Sequence, residues 1–254
     1  MELYTQWKEL LKSGADLSFW QEFYVKFYQA FIEADRWKQY LEGVGSTLIV
    51  TALALVIGVI LGVLVAVVRT AHDQQRPGRK NFFLGIIDGI CRVYVTVIRG
   101  TPMLVQLLIM GFVIFSTSRE YTAIGILTLG INSGAYVAEI IRGGLMSLDP
   151  GQMEAGRSLG LNYIQTMWYI IAPQVLKNVL PTLANEFIVL LKETSISGYV
   201  AVMDLTFAGN RIRGVTFSPL MPLLAVAIIY LILVMFFTKL VSKLERRLRQ
   251  SDIR

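Results

Sequence analysis

The sequence predicts an all-α integral membrane protein with five transmembrane helices. Of its 254 residues, 54% are hydrophobic and only 17% are charged, and the mean hydropathy of +0.56 lies above the usual soluble range. Uncharged stretches recur along the chain, each long enough at ~1.5 Å per residue to approach a hydrocarbon core ~30 Å thick. These stretches are continuous, whereas the strands of a transmembrane barrel alternate in hydropathy over ~10 residues. A helical bundle is therefore expected.

Five uncharged stretches are candidates for the spans: 46–68, 100–118, 121–138, 158–176 and 214–238. The fourth contains serine, asparagine, glutamine, threonine and proline, so we expect it to lie in the cytoplasm. The fourth span is then expected at about 178–196, although it contains Glu186, Lys192 and Glu193. A charge at the centre of a lone helix costs roughly 2.5–3.5 kcal/mol on insertion scales, so these side chains should face protein or a cavity. By the same argument, Glu139 and Arg142 at the inner end of the third span should face inward or lie near the interface.

Two basic segments fix the expected orientation. One follows the first span and carries Arg69, Arg76, Arg79 and Lys80. The other is the C-terminal tail, with Lys239, Lys243, Arg246, Arg247, Arg249 and Arg254. The positive-inside rule places both segments in the cytoplasm, which requires an odd number of spans. Five spans satisfy this rule and place the N-terminus outside and the C-terminus in the cytoplasm.

Three regions follow from this topology: an N-terminal extracytoplasmic arm (1–45), a transmembrane domain (46–240) and a basic cytoplasmic tail (241–254). In the arm, Phe19, Phe23, Phe27 and Phe31 recur at every fourth position, which indicates one aromatic face of a helix. We expect this helix to lie on the outer membrane surface, where aromatic rings favour the headgroup level. Packing of the same face against the protein's own bundle is the alternative.

Two further patterns lie near the first and second spans. Residues 82–98 carry an apolar stripe and predict an amphipathic helix on the cytoplasmic side, with Asp88 and Arg92 spaced to pair. Gly58 and Gly62 have the spacing that allows close helix contact in membranes, although the pattern does not name the partner helix.

A short polar helix is expected after the third span. Asp149 supplies an N-cap acceptor, Pro150 suits the first helical position and Gln152 lies where a capping box requires it. The predicted helix runs from about Pro150 to Gly160 and is polar enough to stand in water.

The sequence contains few residues that indicate a disulfide, a metal site or phosphate binding. The single cysteine, Cys91, excludes a disulfide framework, and the single histidine, His72, excludes a multi-histidine metal site. No GxxxxGK[ST] phosphate loop occurs, so the chain lacks the usual means of binding ATP phosphates. Catalytic and metal-binding residues are therefore not predicted.

Four ordered motifs carry a resemblance to a known family. The first contains Glu154, Ala155 and Gly156, then Gly160, Ile170 and Ala172-Pro173. The others are 99–106, 132–144 and 185–195. Together they resemble the permease subunits of binding-protein-dependent ABC importers, in particular the polar amino-acid branch. Gly156 and Ala172 depart from the family pattern, which has alanine and leucine at these positions.

The resemblance implies a type I ABC importer permease fold in a bacterial inner membrane. It implies a separate ATPase dimer that binds ATP, an extracytoplasmic binding protein that delivers a polar amino acid, and a second permease subunit, identical or different. This chain would bind no cofactor and no nucleic acid. The loop at about 147–172 would contain the coupling helix, and Glu154, Ala155, Gly156 and Gly160 would contact the ATPase.

Polar residues within the spans are the candidates for substrate contact, because a cavity tolerates them where lipid does not. The candidates are Gln106, Asn132, Ser133, Tyr136, Glu193, Thr194 and Ser195. A zwitterion needs an acceptor for its ammonium group and donors for its carboxylate. Glu193 supplies the first, or else it has a purely structural role. Another polar solute, and an ion-coupled secondary transporter, are the alternative functions.

Overall fold

The computed structural model describes residues 2–75 and 81–250, and this part of the chain is helical with no strand. The expected basic residues Arg76, Arg79, Lys80 and Arg254 lie outside the described residues. The α-helices are α1 (Glu2–Lys12), α2 (Phe19–Phe31), α3 (Arg36–Asp73), α4 (Phe82–Gly100), α5 (Met103–Ile109), α6 (Tyr121–Met146), α7 (Gly151–Ser158), α8 (Tyr163–Thr166), α9 (Ala172–Glu193), α10 (Leu205–Thr216) and α11 (Leu220–Gln250). Single π-turns, Met110–Ile114 and Met167–Ile171, extend α5 and join α8 to α9, and a 3-10 helix, Thr194–Val200, follows α9.

The long helices α3 and α6 form the centre of the bundle. They run in the same direction, because Gly58 lies against Ser133 and Gly62 lies against Val137 one turn further along. A Cβ atom on Gly62 would approach Val137 Cγ1 to 2.5 Å. The partner helix of Gly58 and Gly62, which the sequence pattern did not identify, is therefore α6. Because glycine has no side chain, the two backbones approach closely here.

A core of fully buried aliphatic side chains joins four helices at the same level. It contains Val50 of α3, Leu107 of α5, Leu129 of α6 and Leu190 of α9. Interdigitated packing replaces lipid contact here and fixes the relative positions of the helices that bear polar groups.

Among the described residues, three helices are long and apolar enough to cross a membrane by themselves: α3, α6 and α11. The pair α4 and α5 passes the same test jointly, but its two halves meet at 109°. Pro102 explains this bend, because it cannot continue the hydrogen-bond ladder and it disfavours helical geometry at the preceding residue. Thr101 is accordingly extended, with φ −118° and ψ 145°.

The last span begins later than the sequence predicted. Residues 214–216 belong to α10, and Phe217 then adopts a left-handed conformation (φ 51°) before α11 starts at Leu220. The sequence prediction did not separate the two helices, because residues 214–238 contain no charged residue. The fourth predicted span, 178–196, lies mostly in α9, although that helix starts at Ala172 and is preceded by α8 and a π-turn.

The N-terminal arm folds back on the start of α3. Lys8 of α1 forms an ion pair with Glu33, which also pairs with Arg36 at 3.0 Å. Burial would raise the pKa of Glu33, but the hydrogen bonds from Lys8 and Arg36 outweigh it and lower that pKa. Because α3 is continuous from Arg36, the separate arm ends about ten residues before the expected boundary at 45.

The aromatic face of α2 is largely exposed. Phe19, Phe23 and Phe27 expose 71%, 41% and 43% of their surface, whereas Val25 and Ala30 on the other side are buried. Phe31 packs on Tyr40 of α3, with ring centroids 5.5 Å apart. Most of the phenylalanine face is therefore left free of the protein's own bundle.

The predicted pair in α4 is confirmed. Arg92 Nε lies 2.6 Å from Asp88 Oδ2, and the same arginine reaches Asp73 at 3.1 Å. His72 Nδ1 lies 3.2 Å from the Asp88 carboxylate. These contacts join the end of α3 to the first half of α4.

Candidate functional site: a polar face of α6 and the α7 loop

Gln106 connects the break in the α4–α5 pair to α6. Its Nε2 donates hydrogen bonds to the Ile98 carbonyl at 2.7 Å and to Thr101 Oγ1 at 2.8 Å. Its Oε1 accepts a hydrogen bond from Asn132 Nδ2 at 2.9 Å. Two of the predicted site residues, Gln106 and Asn132, are thus in direct contact, and Gln106 satisfies carbonyl groups that Pro102 leaves without helical donors.

A small cavity of about 240 Å³ lies beside this contact, between the α4–α5 pair and α6. Gln106, Thr101 and Thr128 belong to its lining, but the accessible wall of the cavity is almost entirely apolar. The Thr128 hydroxyl donates to the Ile124 carbonyl at 2.6 Å within α6. Thr128, Asn132 and Tyr136 are four residues apart, so they share one face of α6. This face is a polar strip of α6, and an apolar cavity lies beside it.

Ser133 points to another neighbour. Its hydroxyl donates a hydrogen bond to Glu186 Oε1 at 2.9 Å, and both side chains are buried. Glu193 follows Glu186 by seven positions, about two turns, so both lie on the same face of α9. The predicted acid on α9 therefore belongs to the same region as Ser133, through a glutamate that the substrate-site prediction left out.

Thr194 and Ser195 follow Glu193 in the 3-10 turn. Thr194 is completely buried, and its hydroxyl donates to the Leu191 carbonyl at 2.8 Å. Ser195 is half-buried. Among the described residues, no hydrogen bond joins either side chain to Gln106 or Asn132, so the structure does not bring all seven predicted residues into one cluster.

Tyr136 leads from the polar strip to a charged cluster nearer the end of α6. The Arg99 guanidinium lies 5.3 Å from the Tyr136 ring centroid. Glu139 forms ion pairs with Arg69, with Arg142 at 3.5 Å and with Arg99 at 3.8 Å. The sequence predicted that Glu139 and Arg142 face inward or lie near the membrane interface. It did not predict that Arg69 and Arg99 join them, because Arg69 served only as a topological charge and Arg99 only as part of the motif at 99–106.

A second group of polar residues was missed entirely. Asp204 is fully buried and caps α10 by accepting from Phe207 N at 2.9 Å. It also accepts a hydrogen bond from the Tyr230 hydroxyl at 3.3 Å, and Leu205 N donates to Thr47 Oγ1 at 3.1 Å. These contacts tie α3, α10 and α11 together. No motif signals them, because the partners are up to 158 positions apart in the chain.

The predicted polar helix after α6 is present as α7. Asp149 Oδ1 accepts from Gly151 N at 2.8 Å. The predicted N-cap and capping box are wrong, because Pro150 is the N-cap residue and has no side-chain cap hydrogen bond, and Gln152 Oε1 accepts from Gln174 Nε2 at 3.3 Å. Gly160 closes the segment in a left-handed conformation with φ +83°. Glu154 and Ala155 are exposed on the helix surface. An open cavity of about 720 Å³ lies on one side of α7, with Gln74 of α3 on its far wall.

Gly156 has an internal role. A Cβ atom at this position would lie 2.4 Å from Thr166 Cγ2 and 2.9 Å from Ile170 Cδ1. The departure from alanine therefore lets α7 pack closely on α8 and on the π-turn that follows α8. Of the four residues expected to contact the ATPase, Glu154, Ala155 and Gly160 are exposed, whereas Gly156 is buried.

This arrangement of helices is the fold of a type I ABC importer permease. A solved chain with a TM-score of 0.74 and 40% identity covers 83% of this protein and 94% of its own length; it is described as an amino acid ABC transporter with histidines. The family model for the binding-protein-dependent transport system inner membrane component matches residues 78–250. The chain belongs to this family of multi-pass inner-membrane permeases.

Two curated relatives are similar over most of their length. The glutamine transport system permease protein GlnP of Escherichia coli (strain K12) is 36% identical over 214 residues, covering 82% of this chain and 92% of that protein. The arginine transport system permease protein ArtQ of Bacillus subtilis (strain 168) is 34% identical over 217 residues, covering 84% and 93%. The arm formed by α1 and α2 lies outside the part that the family model matches.

Proposed function

We propose that this chain is the permease subunit of an ATP-driven importer and forms the translocation path for a polar amino acid. The observation that carries the proposal is the polar strip of α6, held by Gln106 within an otherwise apolar bundle, in a chain whose relatives carry glutamine and arginine in their names. ATP is bound by a separate ATPase dimer, an extracytoplasmic binding protein delivers the substrate, and a second permease subunit completes the passage.

The proposed topology has five crossings: α3, the bent pair α4 and α5, α6, α9 with its preceding turn, and α11. The N-terminus is extracytoplasmic and the C-terminus is cytoplasmic. In this arrangement Gln75 and Gln165 face the cytoplasm, whereas Thr117 and Asn210 face outward. Residues 1–35 form an interfacial arm whose exposed phenylalanines lie at the outer headgroup level, and residues 241–254 form the basic tail.

The proposed substrate site lies between the α4–α5 pair, α6 and the end of α9. Gln106, Asn132 and Tyr136 supply donors and an aromatic face, and Glu193 and Ser195 approach from α9. Ser133 acts by holding Glu186, and Thr194 by fixing the turn that carries Glu193. The supporting argument is that polar groups in a membrane bundle are tolerated where a watery cavity or a ligand satisfies them.

We assign coupling to α7. Glu154 and Ala155 are exposed on a short helix that stands between two spans, so a groove on the ATPase can receive it and transmit closure to α6 and α9. Gly160 ends the helix in a conformation that other residues rarely adopt, and Gly156 fastens it to the start of the fourth crossing. Attachment at both ends would allow α7 to transmit a movement of the ATPase to the spans.

Uptake into proteoliposomes tests this function. The chain is reconstituted with the ATPase and binding protein encoded with it, and uptake of radiolabelled glutamine, arginine and histidine is measured. We expect ATP-dependent uptake of at least one of these amino acids that persists when ion gradients are dissipated by ionophores. Uptake driven by an ion gradient without ATP would contradict the proposal, as would ATP-dependent uptake of none of the three.

A further inference from the structure

One exposed face of α11 is apolar in the middle of the helix and basic toward its C-terminal end. Its exposed apolar residues include Ile228, Ile232, Met235 and Phe236, which expose between 51% and 60% of their surface. Lys239, Lys243, Arg246 and Arg247 follow, and all four are exposed. At about 100° per residue, the four basic residues lie within about 60° of the direction of Ile232. We call these four residues the basic stripe.

The basic stripe lacks acidic partners. None of its members forms an ion pair with any residue in 2–75 or 81–250. The acid of this segment, Glu245, projects from a different side of the helix, about 140° from Ile232. The four positive charges therefore follow an exposed apolar surface and have no ion-pair partner within this part of the chain.

The helix direction aims these cations at the membrane. Every Cα–Cβ bond in an α-helix tilts toward the N-terminus, so long side chains lean over the preceding turn. The preceding turn of α11 carries Phe236 and Leu240, which expose 56% and 48% of their surface to the surroundings of the span. The stripe extends over about 12 Å at ~1.5 Å per residue, so its side chains reach back to the headgroup layer from each of its turns.

From this geometry we infer that the basic stripe binds the anionic headgroups of phospholipids in the inner leaflet and anchors the cytoplasmic end of α11. The order of residues along this face identifies the ligand. The exposed apolar part suits the acyl chains of a phospholipid, and the basic part that follows suits its phosphate-bearing headgroup. The inference rests on the proposed orientation, with the C-terminus in the cytoplasm. Each cation near an anionic lipid surface contributes about fivefold to affinity.

Native mass spectrometry of the assembled importer tests the inference. The complex is titrated in detergent with phosphatidylglycerol or with phosphatidylcholine, and bound lipid is counted. In the variant Lys243→Gln, Arg246→Gln, Arg247→Gln we expect at least tenfold weaker retention of phosphatidylglycerol, with little change for phosphatidylcholine. The charge-preserving variant Arg246→Lys, Arg247→Lys should retain phosphatidylglycerol like the wild type.

A matched control removes the same charge elsewhere. Arg119, Arg211 and Arg213 are exposed and, among the described residues, unpaired. The triple change of these arginines to glutamine should leave retention of phosphatidylglycerol within twofold of the wild type.

Four results would overturn the inference. Equal retention by the stripe variant and the wild type removes the site, and equal loss in the control shows that only total charge matters. Competition by millimolar inorganic phosphate shows a free-anion site, and loss of the ATPase with lipid retention intact assigns the stripe to that subunit. Because the titration is done in detergent, it is independent of orientation and of transport, which cysteine labelling and uptake test separately.

Discussion

The contact between α3 and α6 gives the sharpest test of the fold, through the change Gly62→Ala. The added Cβ atom would lie 2.5 Å from Val137 Cγ1, 2.6 Å from Val137 Cβ and 2.9 Å from the backbone nitrogen of Ala138. Nonpolar carbon atoms pack at about 3.5–4.0 Å, so the two helices must separate by about 1 Å. A side-chain rotation at Val137 does not relieve this clash, because its Cβ and a backbone atom take part in it.

The expected magnitude follows from two opposing effects. Overpacking of this kind costs about 1–3 kcal/mol, whereas replacing glycine by alanine inside a helix gains up to about 1 kcal/mol. Gly45 of the same helix supplies the control, because a Cβ atom there meets nothing within 4 Å. Gly45→Ala should therefore gain helix stability without the cost of overpacking. The two variants should therefore differ by about 1–3 kcal/mol in their free energy of unfolding.

Reversible unfolding of the purified permease in mixed micelles of dodecyl sulfate and a mild detergent measures this difference. We expect Gly62→Ala to unfold at a lower dodecyl sulfate fraction than Gly45→Ala, which should match or exceed the wild type. If both variants shift equally, the close approach of α3 and α6 at Gly62 is wrong and the glycine serves another purpose.

The remaining predictions concern coupling, transport, topology and the arm. Ala155→Trp should abolish co-purification of the ATPase and lower uptake at least tenfold while Ala155→Ser does neither; normal recruitment by the tryptophan variant refutes the role of α7. Glu193→Gln should raise the apparent KM for substrate about tenfold on normalised protein, and unchanged kinetics would exclude substrate contact. In a cysteine-free background, a cysteine at Gln165 should be labelled from the cytoplasm and one at Asn210 from outside; external labelling at 165 contradicts five crossings. Because the pKa of Glu33 is lowered, its ion pairs stabilise the arm fully above the ordinary value of about 4.3, and this stability is lost as pH falls through the lowered value. The protection of α1 amides against hydrogen exchange, measured relative to their intrinsic exchange rates, should therefore fall below about pH 4 and stay constant between pH 5 and 7.

Local patterns predicted the features that depend on neighbouring residues. The short helix after Asp149, the Asp88–Arg92 pair and the aromatic face of α2 each depend on residues close to one another in the chain, although the predicted cap of the short helix is wrong. Helix periodicity alone determines such contacts. Hydropathy likewise identified α3, α6 and α11, because a lipid-facing helix must be apolar over its whole length.

Turns inside apolar stretches were harder to place. The sequence predicted the last span from 214, but the left-handed Phe217 separates α10 from α11. The stretch 214–238 contains no charged residue, so a search for uncharged stretches joined the end of the polar helix α10 to the apolar helix α11. Pro102 was visible in the sequence, but the 109° angle it accommodates depends on how α5 packs against α6 and α9.

The sequence by itself determined the class of protein: its composition required a membrane bundle, and its ordered motifs pointed to the permease family. Only the tertiary structure decided which polar residues meet. Gln106 joins Asn132, Ser133 turns to Glu186, and Glu139 gathers arginines from three helices. Apart from Arg142, which is three positions from Glu139, these partners lie 26 to 70 positions apart. Their pairing depends on helix rotation and register, which are set by close packing at glycines such as Gly62 and are not encoded in any local pattern.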